Sequence, residues 1–229
     1  MFKKIFLKAT QLQYQENFAK TYRIGDETDV HHPEVRYLAN LLSSHTQKGN
    51  YRKVLDIGCG AGRYFHAVKN TDEIVGIDPS RAMLHEAKHP ALGEQVQVAR
   101  ITLINCGFLE YHPKVLFDFA YSFGVLGEHI PFDYMAARHT YELLKHDGYF
   151  LFTVINPFAS FSYLLKQILK KLFRALHIAQ SYQFMNTSAF GFNTKSSVRK
   201  FLEQSGFKII LIEDVQKSHP HYLILAQKI

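Results

Sequence analysis

Cysteine is almost missing from these 229 residues: Cys59 and Cys106 are the only two, and they lie in different apolar segments. A disulfide framework or a zinc site therefore has no ligand pattern to rest on, and a reducing, cytoplasmic setting is expected. No apolar run approaches the roughly 20 residues that a membrane span requires. The opening MFKKIFLKATQLQ has two lysines before a three-residue apolar run, too short for the apolar region of a secretory signal. Linkers rich in Pro, Gly or Ser are absent, as are internal repeats, so one domain over residues 1–229 is expected. Acidic residues are missing from one long interval, between Asp147 and Glu203. Lys166, Lys170, Lys171, Arg174, Lys195, Arg199 and Lys200 all fall inside it, and these seven charges equal the whole net charge of +7. Electrostatic steering by this chain is therefore expected to be local to that interval.

What is present alternates strand and helix at short spacing. Residues 10–50 carry apolar residues three and four apart and predict an N-terminal helical cap over 1–48. KVLDIG, EIVGID, VQVARITLIN, FDFAYSF, GYFLFTVIN, KIILIEDV and YLILAQKI read as seven strands. Helices are expected at RYFHAVKN, at RAMLHEAKH behind a Ser80 cap, at DYMAARHTYELLKH and at SSVRKFLEQSGF, the last closed by Gly206. Crossover handedness makes this a doubly wound, mostly parallel α/β sheet with helices on both faces. The short connection containing Pro220 makes the C-terminal strand antiparallel. One stretch interrupts the alternation. From Phe158 to Gln180, Phe161, Leu164, Leu165, Ile168, Leu169, Leu172, Phe173 and Leu176 recur at helical spacing, with Lys166, Lys170 and Arg174 four apart on the other side. A basic amphipathic helical lid is expected over 158–192.

The segment VLDIGCGAGRY ends the first strand in glycines. A glycine turn at the carboxyl end of a parallel strand lets backbone approach a ligand that a Cβ would block, and a following helix N-terminus offers free N–H groups. Nucleotide-like ligands sit at such turns. The spacing here is G-x-G-x-G, at Gly58, Gly60 and Gly62, and not the G-x-G-x-x-G of the dinucleotide fingerprint. Asp56, two residues before the first glycine, would put negative charge where a pyrophosphate should lie, whereas it suits the cationic amino end of a methionine moiety. Asp78 ends the next strand, where an acidic side chain can accept both ribose hydroxyls. Its other reading is a turn former ahead of Pro79.

VLDIGCGAGRY, VGIDPS, FDFAYSFGVL, ELLKHDGYFLFTV and SSVRKFLEQSGFKII resemble, in order, the motifs of the class I S-adenosylmethionine-dependent methyltransferases. The likeness covers about residues 50–155 and 193–229. It implies the Rossmann-like methyltransferase fold and S-adenosylmethionine as cofactor. By that resemblance Asp56, Gly58, Cys59 and Gly60 hold the methionine portion, and Asp78 with Pro79 the ribose. Cys106, Gly107 and Phe108 take the adenine, and Ser122, with Phe123 and Gly124, borders the sulfonium. Two departures stand out. Cys106 occupies the place where many relatives carry an aspartate, so backbone groups at Gly107 and Phe108 and packing on Phe108 are expected to read the base. GVLGEHI is one residue longer than the usual Val-Leu-Glu-His pattern.

Methyl transfer from a sulfonium is an in-line displacement, for which alignment in a dry site supplies most of the catalysis. His129 is the candidate base if the acceptor must lose a proton, because imidazole titrates near neutral pH and the loop after the fourth strand faces the cofactor rim. Bracing that loop is its plainer role. Tyr14 and Tyr22 either close over the cofactor or pack the N-terminal helices. The basic helix has three readings: a solvated lid, a peripheral contact with an anionic membrane that brings the enzyme to a lipid-like or lipid-linked acceptor, or an RNA contact. The helical period of its apolar residues, and the lack of a separate RNA module, argue against nucleic acid. A small-molecule acceptor is expected. The competing functions are a non-catalytic scaffold of the same fold and an RNA-directed methyltransferase.

Overall fold

The computed structural model describes residues 16–156, 165, 193–215 and 220–229. The expected basic lid, Leu165 apart, and Tyr14 lie outside the described residues.

Seven strands form one sheet in the order β3-β2-β1-β4-β5-β7-β6. They are β1 (Lys53–Ile57), β2 (Glu73–Asp78), β3 (Arg100–Asn105), β4 (Phe117–Leu126), β5 (Leu144–Ile155), β6 (Phe207–Asp214) and β7 (His221–Lys228). The first five pair in parallel. β7 runs antiparallel to both β5 and β6. The order reverses at β1, between β2 and β4, which puts a crevice at the carboxyl edge there.

Burial on both faces explains the apolar strands. Leu55, Ile57 and Ala120 point into one core with Ala136, Ala137 and Leu143 of α4 (Tyr134–Leu143) and Val198 and Leu202 of α5 (Lys195–Ser205). Val54, Phe119 and Tyr121 point into the other core, with Leu38, Ala39 and Leu42 of α2 (Pro33–Gly49) and Leu84 of α3 (Arg81–Glu86). Period-two alternation thus serves two apolar layers at once. α1 (Glu16–Asp29) belongs to neither: it buries only Ala19 and Asp26, with Ala19 against Ala61 and Met83 beside the glycine turn.

The expected caps form. Ser80 Oγ accepts from Met83 N–H at 3.2 Å, and Gly206 closes α5 in the left-handed region at φ 98°. Asp133 accepts from Ala136 N–H at 2.9 Å, so α4 begins one residue later than its pattern suggested. One expected helix is missing. RYFHAVKN makes only a single 3-10 turn, Phe65–Ala67: Val68 is already extended at ψ 122°, and Lys69 N–H donates to Thr46 Oγ1 at 2.9 Å where an α-helix would direct it to Phe65 O.

Candidate functional site

A cavity of about 400 Å³ opens at the carboxyl edge, where β1, β2 and β4 end. Its floor is the glycine turn. Gly58 and Gly60 adopt φ +75° and +54°, and a Cβ at Gly58 would lie 2.5 Å from Val125. Only glycine holds this turn and leaves the cavity open above it. The turn's amides are turned inward: Gly58 and Cys59 N–H donate to Ile77 O, Gly62 N–H to Cys59 O and Gly60 N–H to Asp78 Oδ2 at 3.1 Å. With those donors used and only a 3-10 turn behind them, no helix N-terminus is offered to a phosphate.

Asp78 sits between the two halves of the wall. Its Oδ1 accepts from Ser80 N–H at 2.8 Å while Oδ2 accepts from Gly60. It is thus a turn former and also the link between the β1 and β2 loops. A carboxylate has about four lone-pair sites, so two remain for hydroxyls of a ligand. Burial pushes its carboxyl up to about 6, against the pull of the two backbone donors. Asp56 lies behind the turn, 5% exposed, and does not line the cavity. Burial pushes its carboxyl up to about 8; the Tyr121 hydroxyl opposes that rise and the Asp78 charge adds to it.

Pro79, Cys106, Gly107 and Phe108 line the cavity, joined by Ile77, Met83 and Leu109. Phe108 is held by His139, whose ring packs edge-on at 5.0 Å and whose Nε2 lies 2.9 Å from Phe108 O. Cys106 directs its thiol to Gly107 O and its N–H to Asp78 O, and burial raises the thiol pKa. Beyond a register shift at the end of β4, Phe123, Gly124, Val125 and His129 complete the opposite wall. His129 N–H donates to Val125 O at 2.8 Å; burial lowers its imidazole pKa, with Glu128 opposing. The ring is therefore neutral near neutral pH and able to take a proton.

Two more expected residues, like Asp56, face away from the cavity. The Ser122 hydroxyl donates to Ile57 O at 2.9 Å and is fully buried between β4 and β1. Cys59 is buried with its sulfur against Gly76, where a Cβ would lie 2.8 Å away. Both contribute backbone shape and not a side-chain contact to the cavity. One cluster escaped the sequence reading. Arg63, directly after Gly62, pairs through Nε with fully buried Asp26 at 2.6 Å and through Nη2 with Asp29 at 3.1 Å. Its guanidinium lies 5.0 Å from the centroid of Tyr22, which lines the cavity. Asp26 and Arg63 are 37 residues apart, so only an acidic α1 and a basic glycine loop hinted at the pair.

The lining is apolar with acidic points. Asp78, Glu110 and Asp133 contribute carboxylates, and no Lys or Arg lines the cavity among the described residues. Such a site disfavours a dinucleotide pyrophosphate and favours a ligand with cationic and hydroxyl groups. The sequence matches the methyltransferase domain family over residues 29–212. The chain belongs to that family.

Curated relatives of this methyltransferase domain include an uncharacterized protein of Methanocaldococcus jannaschii, 37% identical over 134 residues, covering 58% of this chain and 48% of that protein. Another is a ubiquinone biosynthesis O-methyltransferase of Alkalilimnicola ehrlichii, 32% identical over 106 residues, covering 46% of this chain and 42% of that enzyme. A tRNA U34 carboxymethyltransferase of Shewanella woodyi is 37% identical over 86 residues, covering 36% and 25%. The matches thus span about half the length of these relatives or less. Similar solved structures include magnesium protoporphyrin IX methyltransferase of Synechocystis with bound SAH, at TM-score 0.60 and 16% identity over 90% of this chain and 84% of that one. An S-adenosylmethionine-dependent methyltransferase of Clostridium acetobutylicum superposes at TM-score 0.64 with 12% identity, over 91% and 98%. At these identities the likeness establishes a shared fold.

Proposed function

We propose that this chain binds S-adenosylmethionine in the cavity at the carboxyl edge and transfers its methyl group to a small-molecule acceptor. The observation that carries this reading is Asp78 between a glycine floor and an apolar wall, in a cavity lined by carboxylates and by no described Lys or Arg. The residues fit the cofactor. Gly58 and Gly60 leave room that a Cβ would fill, Asp78 keeps acceptors for two hydroxyls, and Phe108, Leu109 and Ile77 offer a planar base an apolar slot. Asp56 supplies buried acidity behind the turn, where an ammonium approaching the loop lowers the cost of its ionisation.

When bound, S-adenosylmethionine supplies an electrophilic methyl carbon on a cationic sulfur. The protein's part is to bind, align and exclude water. The apolar wall of Phe123, Val125 and Met83 keeps the region above the glycines dry, and His129 stands ready to accept a proton from the incoming nucleophile. Calorimetry tests the reading. S-adenosylhomocysteine binds the wild type, and Asp78→Ala weakens binding at least ~10-fold, the loss of roughly one charge-assisted hydrogen bond. Full affinity retained by the variant overturns the ribose assignment, and absence of binding by the wild type overturns the function.

The acceptor is proposed to be lipid-like or lipid-linked, with the basic segment 158–192 meeting an anionic membrane surface. Supporting this are the mostly apolar cavity lining and the confinement of the net positive charge to the interval between Asp147 and Glu203. Exposed Glu110 and Asp133 at the cavity rim repel a polyanion and so weigh against RNA as the acceptor. No helix among the described residues is long and apolar enough to cross a membrane.

A further inference from the structure

β7 runs against its neighbours, and its register with β5 sets His221 opposite Ile155, at the carboxyl edge where the cavity opens. The His221 backbone is pinned there: Val215 N–H donates to His221 O at 3.1 Å, and Asn156 N–H donates to the adjacent Pro220 O at 2.7 Å. Its ring is 11% exposed, and Nε2–H donates to Glu128 Oε1. Glu128 belongs to the turn that leaves β4. Gly127 makes that turn at φ +80°, and the N–H groups of Glu128, His129 and Ile130 all converge on Val125 O. In this tight turn neighbouring side chains diverge, so that His129 lines the cavity while Glu128 leans back to the sheet.

We propose that His221 is a positioning residue for the acceptor side of the cavity: by holding Glu128 against the head of β7 it keeps His129 on the cavity wall. This rests on the methyltransferase reading above. The Glu128 charge acts on two wall residues from its tethered place, raising the pKa of both His129 and Tyr22 against or alongside the effect of burial. A tether that fixes Glu128 therefore fixes the field at both walls. No sequence pattern signals the contact, because the partners are 93 residues apart and meet only through the antiparallel insertion of β7.

The test follows the His129 ring by NMR titration, its resonance assigned with His129→Gln, in the wild type, Glu128→Gln, His221→Ala, His221→Gln and the Glu128→Gln/His221→Ala double variant. Glu128→Gln is expected to lower the His129 midpoint by at least ~0.3 pH unit, since a neighbouring negative charge is removed. His221→Ala is expected to move that midpoint only while Glu128 is present, so the double variant matches Glu128→Gln alone. His221→Gln, whose amide can still donate to Glu128, stays near the wild type. A His221→Ala shift that persists in the double variant overturns the proposal, as does an unchanged midpoint in Glu128→Gln. Calorimetry with S-adenosylhomocysteine runs in parallel, and equal affinity across the variants shows that the cavity floor is intact. Wild-type protein that does not bind it removes the methyltransferase reading while the titration still judges the tether. Should His221→Ala not fold, His221→Phe, which keeps a ring at the head of β7 but cannot donate to Glu128, takes its place in the same comparison.

Discussion

Asp56 holds a proton that an unfolded chain would have lost. An unfolded aspartate titrates near 3.9, whereas burial places Asp56 at about 8. Between those values the folded state binds more protons than the unfolded state, so raising the pH through the window favours unfolding. His45, His66, His129 and His139 are lowered by burial and act in the opposite sense, but only below about pH 6.5. From about pH 6.5 to 8 the melting temperature of the free protein is therefore expected to fall, and Asp56→Asn flattens that fall. S-adenosylhomocysteine, which brings an ammonium, is expected to flatten it as well. Thermal melts at three pH values decide the matter: an unchanged slope in Asp56→Asn removes Asp56 as its source.

Residue types and spacing made Asp78, Gly58, Gly60 and the Cys106–Phe108 segment legible, because a strand end followed by a glycine turn leaves few places for those groups to go. Side-chain direction was less legible. Ser122 and Cys59 are in the right segments, yet regular alternation puts Ser122 on the same buried face as Ala120, and a close approach to Gly76 takes Cys59 inward. Strand alternation is readable only where the register is regular, and it shifts between Ser122 and Leu126.

Among the elements, α1 is the one whose attachment is most local. With only Ala19 and Asp26 buried, it is held to the body at the glycine turn and α3 and by Arg63. Removing Arg63 strands a buried carboxylate, a change that costs about 3–5 kcal/mol where the charge cannot escape. Here it can, by release of the helix to water. Arg63→Met is therefore expected to speed amide exchange across α1 at least ~10-fold while shifting the global midpoint far less. Its affinity for S-adenosylhomocysteine is expected to fall several-fold as Tyr22 leaves the wall. Unaltered exchange in α1 would show that apolar contacts alone hold the helix. Strands and caps were read from the sequence with few misses. The helix expected after the glycine turn was not formed, because the chain turns extended at Val68 and Lys69 N–H is taken by Thr46, a partner 23 residues away that no local pattern signals.

At the scale of the whole molecule, the cavity is lined by carboxylates and by no described Lys or Arg, while along the sequence the seven basic residues between Asp147 and Glu203 equal the net charge. This predicts binding to vesicles containing anionic lipid that weakens as salt rises from about 0.05 to 0.5 M, with no binding to neutral vesicles. Replacing Lys166, Lys170, Lys171 and Arg174 with Gln is expected to abolish it while leaving affinity for S-adenosylhomocysteine unchanged. Vesicle binding that survives both salt and substitution would assign the contact to apolar insertion alone, and absence of binding would leave the segment without a membrane role.

By itself the sequence determined the layered sheet, the run of strands along the chain and a glycine floor with Asp78 beside it, since these follow from periodicity and from short-range spacing along single segments; the fold brought Glu110 and Asp133 to the cavity and left Asp56 behind the turn. The tertiary structure alone decided that His221 meets Glu128, that Arg63 meets Asp26, and which way Ser122 and Cys59 face. Those contacts join segments far apart along the chain, 37 residues for Arg63 and Asp26, 65 for Ser122 and Ile57 and 93 for His221 and Glu128, and no local pattern encodes the distance between two chain segments until the sheet has closed.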